Sequence, residues 1–468
     1  MHASNPRRSV LPPSLIVLGL GVGLLAGALG GCSPDALVGE GELPPGVSDP
    51  AVTESPQGAV AAYNGALIAF RTGFAGGDAS LVPLSALLGD ELQTLGPAFF
   101  PWADTPTDRR LLPEVTVANQ DAQWYTQAYQ NLHSARGKAR EGVRLLRQFA
   151  PNQSPALAGH LHALEAYADV FLADLFCSGV PLSTVDEGGF TLRPGSSTTE
   201  IYERAVELLD TALAVSADSD RVLNVARVGK GRALLALGQY ADAAQAVAAV
   251  PDGFEYRVEF DATSTDNGAT KPDASFMWMF TGAGQSFTFY PTMSDGEGGN
   301  GLDYLSSGDP RTEAVSYASH PFGIPQFLPA KYAPDGGGSV MLADWREARL
   351  IEAEAALQGG DVSGWLAKLN YLRQAGIAPA LPDLVDPGSP DARVDLLFRE
   401  RAFWLFLAGH REGDMRRLIR QYARDPSSVF PIGVHPRGGT YGTDVNAPVP
   451  PSERLHNHLF TGCLGRGA

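Results

Sequence analysis

Cysteine is scarce: the chain has 3 in 468 residues. That excludes a disulfide-dense scaffold. Basic charge is also short, with 35 Lys and Arg against 52 Asp and Glu and a formal net charge of -17, so the surface repels a phosphate backbone and nucleic acid is not an expected partner. Long apolar runs are few, and a permanent membrane span is the weaker reading of the one from Leu15 to Leu29, which is shorter than the roughly 20 residues a spanning helix needs. The GxSxG elbow of serine hydrolases and the paired-histidine helix of zinc proteases are both missing.

What is present begins with a targeting segment. Arg7 and Arg8 precede the apolar run, no acid occurs before Asp35, and small residues lead into Cys32. Residues 1–31 resemble a bacterial lipoprotein signal peptide, with Leu29-Gly30-Gly31-Cys32 as the lipobox and Cys32 as the acylated first residue of the mature chain. Glycines 19, 21, 23 and 27 imitate a nucleotide-binding loop, but they fall within this segment with no strand before them. Residues 32–57 are rich in Pro, Gly and acids without apolar periodicity, which reads as a flexible tether. Ser33 after the cysteine favours passage to the outer membrane by the same resemblance.

From Gly58 onward apolar residues recur at helical spacing, as in Leu157, Leu161, Leu164, Ala168, Phe171 and Leu175. Helices are predicted at 58–74, 121–149, from Ser154 to Gly179, and at 198–216, 222–237 and 240–250. Residues 251–340 read as a loop-rich insert with strand-like fragments at 254–260 and 276–280. Helices are expected again from Leu342 to about Arg424, with a break at 379–390, before a mostly irregular tail. Two stretches, 226–245 and 346–372, read as tetratricopeptide-like hairpins, with Gly238 and Gly359-Gly360-Asp361 at the turns. Such hairpins stack because one alone cannot bury its apolar side. The predicted fold is mainly α, with 58–250, 251–340 and 341–468 as regions of one domain.

The order of several segments is similar to the SusD/RagB family of nutrient-binding outer-membrane lipoproteins. These are LGDEL at 88–92, AYQNLHSAR at 128–136, YADVFLADLFCSGVPL at 167–182, GDPR at 308–311, RLIEAEA at 349–355, KLNYLR at 368–373, ERAFWLFLAGHREGDMRR at 400–417 and VPPSER at 449–454. The chain departs from the family pattern at Ala408, where Glu is usual, and at His456-Asn457-His458, where Asn-Pro is usual. The resemblance implies a surface lipoprotein, anchored in the outer membrane, that binds an oligosaccharide or peptide and delivers it to a TonB-dependent transporter. It implies no catalysis and no cofactor. Two other readings stay open at this level: a tetratricopeptide scaffold of the envelope, and a helical glycoside hydrolase or lyase with two carboxylates in a cleft.

Candidate site residues follow from chemistry. Sugars are held by aromatic faces with a few polar groups, so aromatics in loops are informative. In PAFFPWA Phe99 and Phe100 lie between Pro97 and Pro101 and Trp102 follows Pro101, Tyr290 precedes Pro291, and Tyr304 follows a Gly-rich loop. Trp345, Trp365 and Trp404 fall in helices and are expected in packing. In the charged segment 399–417, residues such as Arg411 and Asp414 are structural by resemblance. His160 and His162, two apart on one helix, cannot share a metal. His456 and His458 lack a third ligand beside them, and 295–303 lacks the closing Glu of an EF-hand loop. Cys177 and Cys463 are left as a possible disulfide, which would restrict the unfolded chain by roughly 4–5 kcal/mol.

Overall fold

The computed structural model describes residues 50–77, 79–94, 107–108, 110–112, 123–186, 189–261, 263, 273–278, 291–317, 325–436 and 438–468. Residues 50–468 form one unit. Cys32 and the signal segment lie outside the described residues.

Helix starts are written into the sequence as capping residues. After a single turn, α1 (Pro50–Thr53), Ser55 accepts from Gly58 N and Pro56 opens α2 (Pro56–Ala75). Ser154 and Pro155 do the same for α5 (Pro155–Leu175), which follows α3 (Leu81–Leu88) and α4 (Gln123–Phe149). A reciprocal Ser197–Glu200 capping box starts α6 (Thr198–Val215), and Ser219 caps α7 (Asp220–Ala236). Next come α8 (Tyr240–Val247), α9 (Trp345–Gln358), α10 (Val362–Ala375), α11 (Pro390–Trp404), α12 (Arg411–Tyr422), α13 (Pro426–Val429) and α14 (Pro451–His456).

Successive helices pack against each other from α2 to α4, α5, α6, α7 and α8, and α9 then packs on both α7 and α8. The hairpins α7–α8 and α9–α10 therefore stack, as the tetratricopeptide reading expects. Their turns carry Gly238 at φ 73 and Gly360 at φ 81, in the left-handed region that disfavours other residues. The fully buried Trp365 and the nearly buried Trp345 join the main core.

Strands are short and pair in twos. They are β1 (Leu92–Thr94), β2 (Val180–Pro181), β3 (Thr184–Asp186), β4 (Gly189–Thr191), β5 (Gly195–Ser196), β6 (Glu255–Phe260), β7 (Pro291–Met293), β8 (Ala314–Tyr317), β9 (Gln326–Pro329) and β10 (Gly338–Asp344). The antiparallel pairs are β1–β7, β2–β5, β3–β4, β6–β10 and β8–β9.

Several expectations need correction. Leu342 lies in β10, and the helix begins only at Trp345, because Asp344 caps it by accepting from Glu347 N at 2.8 Å. Ser275 to Trp278 form a bridge to Gly76 and a turn, not a strand. Helices α3 and α14 were not expected, since the first is apolar all round and the second lies in a tail of few apolar residues. Among the described residues no helix is long and apolar enough to cross a membrane.

Candidate functional site

Three segments leave the described fold from neighbouring backbone positions. Thr94, at the end of β1, lies opposite Pro291, at the start of β7. β7 is tied to β9: Gln326 Nε2 donates to Pro291 O at 2.8 Å, and Phe327 N donates to Thr292 Oγ1 at 2.9 Å. The β8–β9 register ends at Tyr317 opposite Gln326. The chain after Thr94, the chain before Pro291 and the chain after Tyr317 thus begin on one rim. The first segment is also pinned where it returns, since Asp108 Oδ2 accepts from Thr94 N (2.9 Å) and Thr94 Oγ1 (2.6 Å).

Phe99, Phe100, Trp102 and Tyr290 lie outside the described residues, on two of these three segments. Tyr304 does not join them. Its ring is 1% exposed, its centroid lies 5.4 Å from that of Phe403 and 4.8 Å from that of Phe406, and its hydroxyl donates to Asp90 Oδ1 at 3.2 Å. The glycine-rich loop before it suggested a surface position. The ring instead turns inward because Asp90 already holds this corner, accepting from Leu302 N at 3.0 Å and pairing with Arg411.

The charged segment 399–417 is consumed by packing. Glu400 pairs with Arg311 and Arg373, Asp414 with Arg401 and Arg417, and Arg417 also grips Glu354. His410 lies 3.1 Å from Arg232 Nη2, and burial with the nearby Arg232 charge holds its ring well below the usual histidine range. Arg416 donates to the carbonyls of Ala173, Asp174 and Phe176 at 2.7, 2.6 and 3.1 Å, closing the C-terminus of α5. Most of these groups pair with one another or with backbone carbonyls, an arrangement that fixes element positions.

His160 sits between the hydroxyls of Tyr63 (2.8 Å) and Tyr256 (2.6 Å), while His162 faces Arg147 at 3.2 Å, so the two point to different partners. Asp295 Oδ1 accepts from Leu305 N, Ser306 N and Ser306 Oγ, which makes the 295–303 loop a hydrogen-bonded turn. Among the described residues no three metal-binding side chains cluster. Cys177 and Cys463 form a disulfide, with their Cα atoms 5.9 Å apart.

A cavity of about 490 Å³ lies elsewhere, between α4, the β3–β4 hairpin and α14. Val185 and Phe190 are cross-strand partners on its wall and are 63% and 83% exposed. Tyr129, His133, Gly137 and Arg140 of α4 lie opposite, and Glu453 and His456 close one end. Sequence reading missed this site, although the Gly-Gly pair in Val185-Asp-Glu-Gly-Gly-Phe190 is a hairpin signal and would have set Val185 and Phe190 on facing strands.

No family model and no curated protein matches the chain. Solved structures do. A SusD superfamily protein from Bacteroides thetaiotaomicron aligns at TM-score 0.63 and 14% identity, covering 88% of this chain and 100% of that one. A SusD-like carbohydrate-binding protein from Bacteroides vulgatus aligns at TM-score 0.60 and 14% identity, over 87% and 97%. A laminarin-binding SusD-like protein aligns at TM-score 0.60 and 16% identity, over 88% and 99%. The stacked helical hairpins and the short paired strands thus follow one known architecture over most of the chain, and the protein has the SusD-like fold.

Proposed function

We propose that this chain is a surface lipoprotein, anchored at the outer membrane through acylated Cys32, that captures an oligosaccharide and passes it to a TonB-dependent transporter. A peptide is the alternative ligand. The observation that carries the reading is the rim at Thr94, Pro291 and Tyr317, from which segments bearing Phe99, Phe100, Trp102 and Tyr290 depart. Aromatic rings can stack on the C–H faces of a sugar, and a few polar groups can fix its hydroxyls. The likeness to a carbohydrate-binding and a laminarin-binding SusD-like protein supports the ligand class. The part of the expected tether that precedes α1, residues 32–49, would let the body move over a partner in the same membrane.

The chain acts by binding, without breaking bonds. Supporting this, two carboxylates of the charged segment, Glu400 and Asp414, are each held by two guanidinium groups, and a third, Glu412, is only 1% exposed. The test has two parts. The full-length protein, affinity-purified from its own membranes, is expected to bring a TonB-dependent barrel with it, and recovery without any barrel would overturn the delivery step. On a glycan array the protein is expected to retain at least one oligosaccharide uncleaved, with Trp102→Ala weakening the interaction about tenfold or more. Sugar products released from the array would overturn the non-catalytic reading.

A further inference from the structure

The strands that lead to the rim share a second meeting point at their other ends. β1 pairs with β7, β7 is tied to β9, and β9 pairs with β8, so the four lie side by side. The rim takes one end of each, at Thr94, Pro291, Gln326 and Tyr317. At the opposite end lie Glu91, just before β1, Ser294, just after β7, and Lys331 and Tyr332, just after β9. Ser294 N donates to Glu91 O at 3.0 Å and Ala330 N to Glu313 O at 2.8 Å, which keeps these far ends in register.

The far end is fastened to the turn between α11 and α12. Glu91 Oε1 accepts from Leu407 N at 2.7 Å, Tyr332 Oη donates to Leu407 O at 2.7 Å, and Lys331 Nζ donates to Phe406 O. Leu407 stands at φ 50, in the left-handed region, which is costly for a residue with a Cβ and persists only where the surroundings impose it. A cavity of about 280 Å³, lined in part by Lys331, Tyr332, Leu405 and Ala408, lies beside the turn, so packing leaves it room to relax. Hydrogen bonds from the strand ends therefore hold the strained residue in place. Glu91 is 1% exposed, and its second carboxyl oxygen has no hydrogen-bond partner among the described residues. An apolar side chain would fill that place at less cost, and the bond to Leu407 is what the carboxyl adds.

We propose that Glu91 and Lys331 are positioning residues for the rim: by bonding the strained 406–407 peptide from the far ends of β1 and β9, they fix where the rim segments start and so how tightly the rim holds its ligand. The ligand part rests on the rim reading above, and the anchoring part does not. The experiment therefore has two arms, both on the full-length protein in detergent. In the first, Glu91→Met and Lys331→Met are expected to raise hydrogen exchange about tenfold in peptides covering 92–94, 291–294 and 326–329, while α2 and α4 keep the parent's rates. Glu91→Gln, whose amide oxygen still accepts, and Lys331→Arg, which still donates, are expected to exchange like the parent. Tyr332→Phe, which removes a single hydroxyl, is expected to raise exchange in the same strands and decides the matter if the first two variants do not fold. No rise, a rise shared equally by α2 and α4, or the same rise in the conservative pair would overturn the anchor. In the second arm a glycan retained by the parent on the array is expected to bind Glu91→Met and Lys331→Met about tenfold more weakly. Unchanged binding with loosened strands would overturn the positioning role. A parent that retains no glycan would defeat the rim reading alone, and the exchange arm would still decide the anchor.

Discussion

Glu412 is the residue whose chemistry is least expected from its type. It lies in the first turn of α12, is 1% exposed, and neither carboxyl oxygen has a hydrogen-bond partner among the described residues, although its backbone N–H donates to Ser85 Oγ at 3.2 Å. Burial pushes the carboxyl up to about 8, against the pull of the Arg416 and Arg110 charges. An acid whose pKa is raised on folding binds its proton more tightly in the native state. Its contribution is therefore complete below about 4.5, the ordinary value, and is lost as pH climbs through about 8. Glu412→Gln removes the proton-dependent part while keeping the shape. The variant is expected to melt roughly 2 °C above the parent at pH 8.5 and with it at pH 4.5, read by calorimetry. A difference independent of pH would show that the carboxyl is ionised in the fold. His160 runs in the opposite sense. Burial holds its ring at about 4, so its share of stability is present above about 6.5 and falls away as pH drops through 4.

Among the elements, α7 shows how close approach is built into a helix. A Cβ at Gly231 would meet Val247 Cγ1 of α8 at 2.5 Å and Ile351 Cδ1 of α9 at 3.1 Å, so this glycine lets two hairpins seat against one helix. Gly65 in α2 is its counterpart, with nothing within 4 Å of an added Cβ. The two predict opposite signs for the same kind of change. Gly231→Val should cost about 1–3 kcal/mol by overpacking, and Gly65→Ala should gain about 0.5–1 kcal/mol from helix propensity, both measured by urea unfolding. Much at this level was legible beforehand, because apolar spacing and capping residues are local signals: Ser154-Pro155, Ser197 with Glu200, and Gly238 each sit where the helix ends lie. Short strands mostly were not, β6 at 255–260 within the expected fragment 254–260 being the exception. A pair such as β2–β5 holds two residues a side, too few to show alternation. Site residues were the hardest to read, since exposure depends on distant partners: Tyr304 was drawn inward by Asp90, while Phe190 was left outside on a hairpin.

The whole molecule is closed by its tail. Residues 445–465 run back to the end of α5, where Cys177 N donates to Ala447 O and Ala447 N to Leu175 O, each at 2.8 Å. Further along, Asn457 Nδ2 donates to Arg193 O at 2.8 Å and Leu464 N to Ser178 O at 2.7 Å. The Cys177–Cys463 bond fastens this strap across a sequence separation of 286. Closing so long a loop restricts the unfolded chain strongly, so losing the bond acts on overall stability as well as on the strap. In Cys177→Ser/Cys463→Ser, urea unfolding should show a loss of about 2–5 kcal/mol, and a reductant should lower the parent's midpoint but not the variant's. Hydrogen exchange separates the two effects. If the hydrogen bonds from Ala447 to Leu464 hold the tail in place, amides 447–465 keep their protection in the variant relative to its new global stability; if the disulfide alone holds it, those amides exchange first. The second outcome would also open the end of the cavity formed by Glu453 and His456, because α14 belongs to this strap.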